Sequence, residues 1–221
     1  MPQRVWRLWL LILLIGAGLL ALLSLIAVWI VRPRVEAGPL QAWDAAGVLW
    51  VAEVTPIDFP KAMFIGSMGD IIVLLPVVLL TVVIAIYRQA PLTAATQLAG
   101  YSLVTGLLWV GWSAWNRARP DLIADGVAAT GLHAFPSGHM LVSIPVYGFL
   151  CYLWCSQTAS WTERAVAILL TALLLVGMGW SRLVVGVHWP TDIIAGTLLG
   201  LVWLGVQIVA LRRAATASAQ A

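Results

Sequence analysis

Apolar residues fall in six runs along the chain, at about 8–31, 68–87, 92–114, 139–156, 164–181 and 191–211, with polar residues collected between them. Each run is about long enough to cross a ~30 Å hydrocarbon core as a helix, the fourth and fifth at the short end. The runs are continuous and do not alternate, which predicts helices and argues against a barrel. The expected fold is therefore an all-α integral membrane protein: six transmembrane helices in one bundle, a single domain over residues 1–221. Composition agrees. The chain is 62% hydrophobic and only 10% charged, with mean hydropathy +0.99, more apolar surface than a soluble domain of 221 residues carries.

The longest connection, 32–66, is interrupted by Gly38-Pro39 and Pro56. Between these breaks, Leu40 to Val54 sets Trp43, Leu49, Trp50 and Val51 among Asp44 and Glu53, a pattern for a helix lying in the interface. Phe59 to Met68 predicts a second short piece leading into the next run. The Ala/Ser-rich tail, 214–221, is expected to fray. Arg4 and Arg7 before the first run would suit a signal peptide. The run is well beyond the ~7–15 apolar residues of such a leader, and Arg32-Pro33-Arg34 ends it without a clear cleavage site.

With six spans both termini share a side. That side carries Arg4, Arg7, Arg88, Arg164, Arg212 and Arg213, with Glu163 its one acidic residue. The other side carries Arg32, Arg34, Lys61, Arg117, Arg119 and Arg182, so the raw basic count is equal. Arg119 and Arg182 belong to motifs described below and have another reason to be there. Setting them aside leaves an excess on the terminal side, which the positive-inside rule places in the cytoplasm. The basic residues are scattered and form no stripe, so no nucleic-acid role is expected. Most of the thirteen tryptophans sit near run ends, as an aromatic belt would. Cys151 and Cys155 read as small buried hydrophobes. Gly196 and Gly200 form a small-xxx-small pair in phase with Asp192; it is expected to serve close packing within the bundle, with a homodimer as the alternative.

Charge at membrane depth is costly and suggests a functional site. Arg119, His139, Arg182, His188 and Asp192 all gather beside the ends of apolar runs, on one side of the predicted bundle. Asp192 follows His188 by four residues, and Trp189-Pro190-Thr191-Asp192 reads as a helix start, since proline is favoured in a first turn. A carboxylate there can accept the proton of one imidazole nitrogen and leave the other free to attack; a purely structural His–Asp bond is the alternative. Pro136-Ser137-Gly138-His139 opens the fourth run. Ser137 is suited to cap that helix, and the amides at its start make an anion site that Gly138 lets a ligand approach. His139 stands beside it as a candidate general acid. The two arginines offer planar forks for phosphate, or else snorkel to headgroups. Together these elements fit phosphoryl transfer through a histidine. Zinc-type spacing does not occur, and neither metal nor cofactor is expected.

Set out in order, Arg119-Pro120, then Pro136-Ser137-Gly138-His139, then Ser181-Arg182, five residues, His188, three residues, Asp192, the chain resembles the type 2 phosphatidic acid phosphatase superfamily. Bacterial acid phosphatases and vanadium haloperoxidases belong to the same superfamily. Its second and third motifs match in full. Its first expects a lysine seven residues before Arg119, where this chain has Trp112. Arg117, by proximity, is one candidate substitute for that lysine, and Lys61 or Arg34 reaching in from the first loop is another; the remaining alternative is an altered headgroup affinity or preference. The resemblance implies the six-helix layout of the membrane members. It implies that His188 is the nucleophile, oriented by Asp192, and that His139 protonates the leaving oxygen and then activates water. Arg119, Ser137, Gly138 and Arg182 would hold the phosphate. His133 matches no motif position.

The expected activity is that of a metal-independent lipid phosphatase at the outer face of a bacterial-type inner membrane, with the bilayer and a phosphorylated lipid as its partners. Undecaprenyl pyrophosphate, phosphatidylglycerol phosphate, phosphatidic acid and lipid A phosphates all present a suitable group. The alternatives are a degenerate lipid-binding or transport protein and a vanadate-dependent oxidase.

Overall fold

A computed structural model describes residues 2–55, 58–123 and 133–220; Pro56 and residues 124–132 of the second long loop lie outside them. The described residues form eight helices and no strands. They are α1 (Gln3–Glu36), α2 (Pro39–Val54), α3 (Phe59–Ser67), α4 (Ile71–Tyr87), α5 (Pro91–Ala114), α6 (Gly138–Gln157), α7 (Trp161–Val184) and α8 (Pro190–Ala219). The two short helices expected in the first long connection are α2 and α3. Two ends differ from the sequence reading. α1 runs past Arg32-Pro33-Arg34 to Glu36, and an Arg32–Glu36 ion pair of 2.8 Å joins neighbours one turn apart. α8 continues through the alanine-rich tail to Ala219, with Ala214 buried; alanine is the strongest helix former.

Among the described residues five stretches are long and apolar enough to cross a membrane: Gln3–Glu36, Phe59–Tyr87, Gly138–Gln157, Trp161–Val184 and Pro190–Ala219. α5, expected as a span over 92–114, has the length, 24 residues, but is not among them. Its composition explains this: it carries polar residues such as Thr96 and Gln97, and these two are fully buried against protein.

α8 packs between α1 and α6, and α5 touches α1, α4, α6 and α8. The main core gathers Leu13, Leu20, Val104, Leu141 and Trp203 from α1, α5, α6 and α8. Trp203 is fully buried and donates its indole N–H to the Gly100 carbonyl at 2.8 Å, so even this polar edge is satisfied. Gly196 and Gly200 let α8 approach α6: a Cβ at Gly196 would lie 2.6 Å from the Ser137 carbonyl oxygen, and one at Gly200 3.1 Å from that of Met140. Outward faces of α4 and α7 expose Leu80, Val83, Leu169, Leu170, Leu173 and Val176, side chains suited to lipid. α7 has its buried residues at its C-terminal end, Met178 to Leu183. There α2 and α3 lie against it. One end of the bundle is thus thickened by α2, α3 and the loops after α5 and α7.

Candidate active site

His188 and Asp192 come from the turn that links α7 to α8. Gly186 has φ +70°, a left-handed conformation that glycine adopts without penalty, and the Val187 N–H bonds back to the Arg182 carbonyl at 3.1 Å. The turn delivers a buried His188 whose Nδ1 lies 3.4 Å from Asp192 Oδ2, a long contact, while Nε2 has no hydrogen-bond partner among the described residues. The same Oδ2 accepts the Trp189 N–H at 2.8 Å, capping α8 from its third position. Burial pushes the His188 pKa below its ordinary 6.5, while the bond to Asp192 opposes that shift.

His139 sits one residue into α6. The segment before it is fastened to the first turn of α8, since the Ser137 N–H donates to the Asp192 carbonyl at 3.1 Å. This holds the two histidine rings with centroids 6.3 Å apart at 73°. Ser137 is the residue preceding α6, as expected, yet its hydroxyl caps nothing. Its Oγ is buried and has no hydrogen-bond partner among the described residues, a donor free for another task. His139 Nε2 lies 3.0 Å from Asp70 Oδ1 at the start of α4.

Arg182, buried near the end of α7, directs its guanidinium against α3, with Nη2 3.4 Å from the Ala62 carbonyl oxygen. Gly66 makes room for it, because a Cβ there would fall on the guanidinium. Gly69 does the same for His139, where a Cβ would lie 2.7 Å from Cδ2. Arg119 reaches the histidine turn and donates from Nη1 to the Val187 carbonyl at 3.3 Å. Its Nε is buried without a partner among the described residues, and burial pulls its pKa below the ordinary arginine value with Asp192 opposing.

Trp112, at the position where the resemblance expects lysine, has a structural task. Its indole N–H donates to the Pro136 carbonyl at 3.2 Å, and its ring stacks on His133 at 5.3 Å. Arg117 turns to Asp44 and Asp192, at 2.6 Å from each. Lys61 is exposed and paired with Asp58, and Arg34 bonds the Ile30 carbonyl at the end of α1. The structure therefore brings together His139, His188, Asp192, Ser137, Gly138, Arg119 and Arg182, and does not bring Lys61 or Arg34 to them. Sequence reasoning missed Asp70, and took Asp44 only as part of an amphipathic pattern. A carboxylate between apolar residues of α2 was the available signal for Asp44; nothing local marks Asp70.

A groove of about 840 Å³ opens at the opposite end of the bundle, between Thr81, Arg88, Thr93, Trp154, Gln157 and Glu163. It holds neither histidine, and the chemistry follows the side chains, not the volume.

A buried histidine, a second histidine across from it and two arginines are the groups that phosphoryl-transfer chemistry can use. The family model of the PAP2 superfamily matches residues 92–214, more than half the chain, and the protein belongs to that superfamily. It is a membrane lipid phosphatase. YbjG of Escherichia coli (strain K12), whose name gives it provisionally as an undecaprenyl-diphosphatase, is 30% identical over 162 residues, 67% of this chain and 71% of its own length. An undecaprenyl-diphosphatase of Sulfolobus acidocaldarius is 37% identical over 78 residues, 34% of each chain. The fold is shared with a crystal structure of a transmembrane PAP2-type phosphatidylglycerolphosphate phosphatase from Bacillus subtilis, with TM-score 0.71 and 22% identity, covering 87% of this chain and 94% of that one.

Proposed function

We propose that the protein removes the terminal phosphate of a lipid phosphate or pyrophosphate through a phosphohistidine on His188, with undecaprenyl pyrophosphate the first substrate to test. The single observation that carries this reading is the pair of facing imidazoles, with His188 held through Nδ1 so that Nε2 is left to attack. In the first step Nε2 bonds to the terminal phosphorus as the bond to the leaving oxygen breaks, and His139 gives that oxygen a proton. In the second step His139 takes a proton from water, whose oxygen displaces His188 and releases inorganic phosphate. Arg119, Arg182, the Ser137 hydroxyl and the Gly138 amide carry the negative charge of the phosphoryl oxygens. None of these steps calls on a metal. Two relatives are named for undecaprenyl pyrophosphate, which puts that lipid first in the test, and others are named for phosphatidylglycerol phosphate, which is tested beside it.

The protein crosses the bacterial inner membrane six times, with both termini cytoplasmic and the site outside. What supports this is the length of α5, about 36 Å at 1.5 Å per residue, and the basic excess at the terminal end once Arg119 and Arg182 are set aside.

Two measurements test the proposal. A panel of undecaprenyl pyrophosphate, phosphatidylglycerol phosphate, phosphatidic acid and a lipid A phosphate is assayed for phosphate release in EDTA. Acid-quenched protein is then examined for labelled phosphohistidine, expected in the wild type and absent from His188→Ala. Full turnover by His188→Ala on any of these lipids would remove His188 from the mechanism.

A further inference from the structure

Asp192 has two carboxylate oxygens, and each has its own partners. Oδ2 serves His188 Nδ1 and the Trp189 N–H. Oδ1 receives Arg117 Nη1 at 2.6 Å. Turning the carboxylate to favour one side would break the bond on the other. Arg117 is itself pinned from several directions. Its Nη2 donates to Asp44 Oδ2 at 2.6 Å, its Nη1 also reaches Thr191 Oγ at 2.7 Å, and its guanidinium lies 5.0 Å and 5.2 Å from the ring centroids of Trp115 and Trp189. Asp44 accepts further bonds from the Thr191 N–H at 2.9 Å and the Thr191 hydroxyl at 2.7 Å. Arg117 is 4% exposed, and Asp44 and Asp192 are fully buried. Two carboxylates buried around one guanidinium are costly to keep unless geometry and bonding are complete, and here they are.

We propose that Arg117 and Asp44 are positioning residues for the nucleophile, acting through the Asp192 carboxylate, so that the interfacial helix α2 completes the active site. The inference rests on His188 being the nucleophile. It assigns Arg117 a task other than holding phosphate, and gives Asp44 a role that a membrane-surface helix does not require.

Charge makes the roles separable from mere packing. The charged or titratable groups around the His188–Asp192 pair are Asp44 of α2, Arg117 and Arg119 of the segment after α5, and His139 of α6. Arg182 of α7 is coupled to Asp70 and Arg119. Removing Arg117 takes a positive charge from the far side of Asp192, so His188 holds its proton more tightly. Removing the charge of Asp44 acts in the opposite sense.

The test uses the full-length protein and a water-soluble short-chain lipid phosphate. kcat and KM are measured against pH for wild type, Arg117→Gln, Arg117→Lys and Asp44→Asn, together with inhibition by vanadate. Arg117→Gln is expected to lose roughly 10- to 100-fold in kcat, as for a misplaced reacting group. Its KM and vanadate inhibition should stay within about threefold, because uniform phosphate binding is untouched. The acid limb of kcat/KM should move up by about half a pH unit or more in Arg117→Gln, return toward wild type in Arg117→Lys, and move down in Asp44→Asn. A folding defect alone would lower the active fraction and leave the limbs in place. Unmoved limbs, or a KM and a vanadate constant that rise in step with lost activity, would overturn the inference. If Arg117→Gln does not accumulate as folded protein, the direction of the Asp44→Asn limb decides. Wild-type protein that releases no phosphate would overturn the phosphatase reading, and this inference with it.

Discussion

Alanine at Gly66 should strengthen α3 and weaken the enzyme. The added Cβ would occupy the place of the Arg182 guanidinium, meeting Nη2, Cζ and Nε and not backbone. The group that must yield is the far end of a flexible side chain, so the fold can absorb the change. Alanine is favoured over glycine by about 1 kcal/mol in a helix interior; Gly66 lies in the last turn of α3, where only part of that applies, and thermal stability should hold or rise slightly. Arg182 meanwhile loses its seat on α3 beside the Ala62 carbonyl. One hydrogen bond to a charged group contributes about 1.5–3 kcal/mol, which corresponds to roughly 10- to 150-fold in kcat/KM. The assay is phosphate release from a short-chain lipid phosphate, with vanadate inhibition and thermal unfolding alongside. Gly18→Ala is the control, since nothing lies within 4 Å of a Cβ there. Unchanged kcat/KM and vanadate inhibition in Gly66→Ala would show that Arg182 does not hold phosphate from this seat. A large loss of stability would show that the collision is borne by the backbone.

His139→Ala should lose most activity on lipid alcohol leaving groups and least on an activated aryl phosphate, which needs less protonation; equal losses on both would argue against a general acid. Trp112→Lys should keep the fold and change KM or headgroup preference more than kcat, although it gives up the indole bond to Pro136; loss of turnover at saturating substrate would assign the tryptophan a larger role. His188 also ties stability to pH. Its folded pKa lies below its ordinary 6.5, so unfolding takes up a proton as pH falls. The stabilising contribution is complete above 6.5 and declines as pH drops through the folded value. Thermal unfolding between about pH 7.5 and 4.5 should therefore fall more steeply in wild type than in His188→Gln, and an equal or shallower fall would contradict the burial argument.

The helices were legible in the sequence because a bilayer demands long uninterrupted apolar runs, and the motif residues because ionisable groups are scarce among them. α5 was harder to judge. Its polar Thr96 and Gln97 face other helices, and apolarity along one chain cannot register what a neighbour covers. Ser137 was rightly placed at the start of α6, but its free hydroxyl was not foreseeable from a capping preference. Arg117 looked like a substitute for the missing lysine because it stands two residues from Arg119. Its actual partners, Asp44 and Asp192, are 73 and 75 positions away. Asp70 was invisible for the same reason: its distance to His139 is 69 positions. Short-range spacing reveals groups that share a helix turn, and neither Asp44 nor Asp70 shares one with its partner.

The bond between Asp44 and Thr191 joins positions 147 apart, and α8 lies against α1. A ribosome makes these partners at opposite ends of its work. While the chain is being threaded into the membrane, Arg119, Ser137, His139 and Arg182 all emerge before His188. If the proposed mechanism holds, a nascent chain arrested before that turn would carry the phosphate-binding groups without the nucleophile. The last helix must slide in beside the first, and only then does Asp44 meet the residue it caps. On that reading an unfinished copy would be inert toward lipid phosphates until α8 is in place.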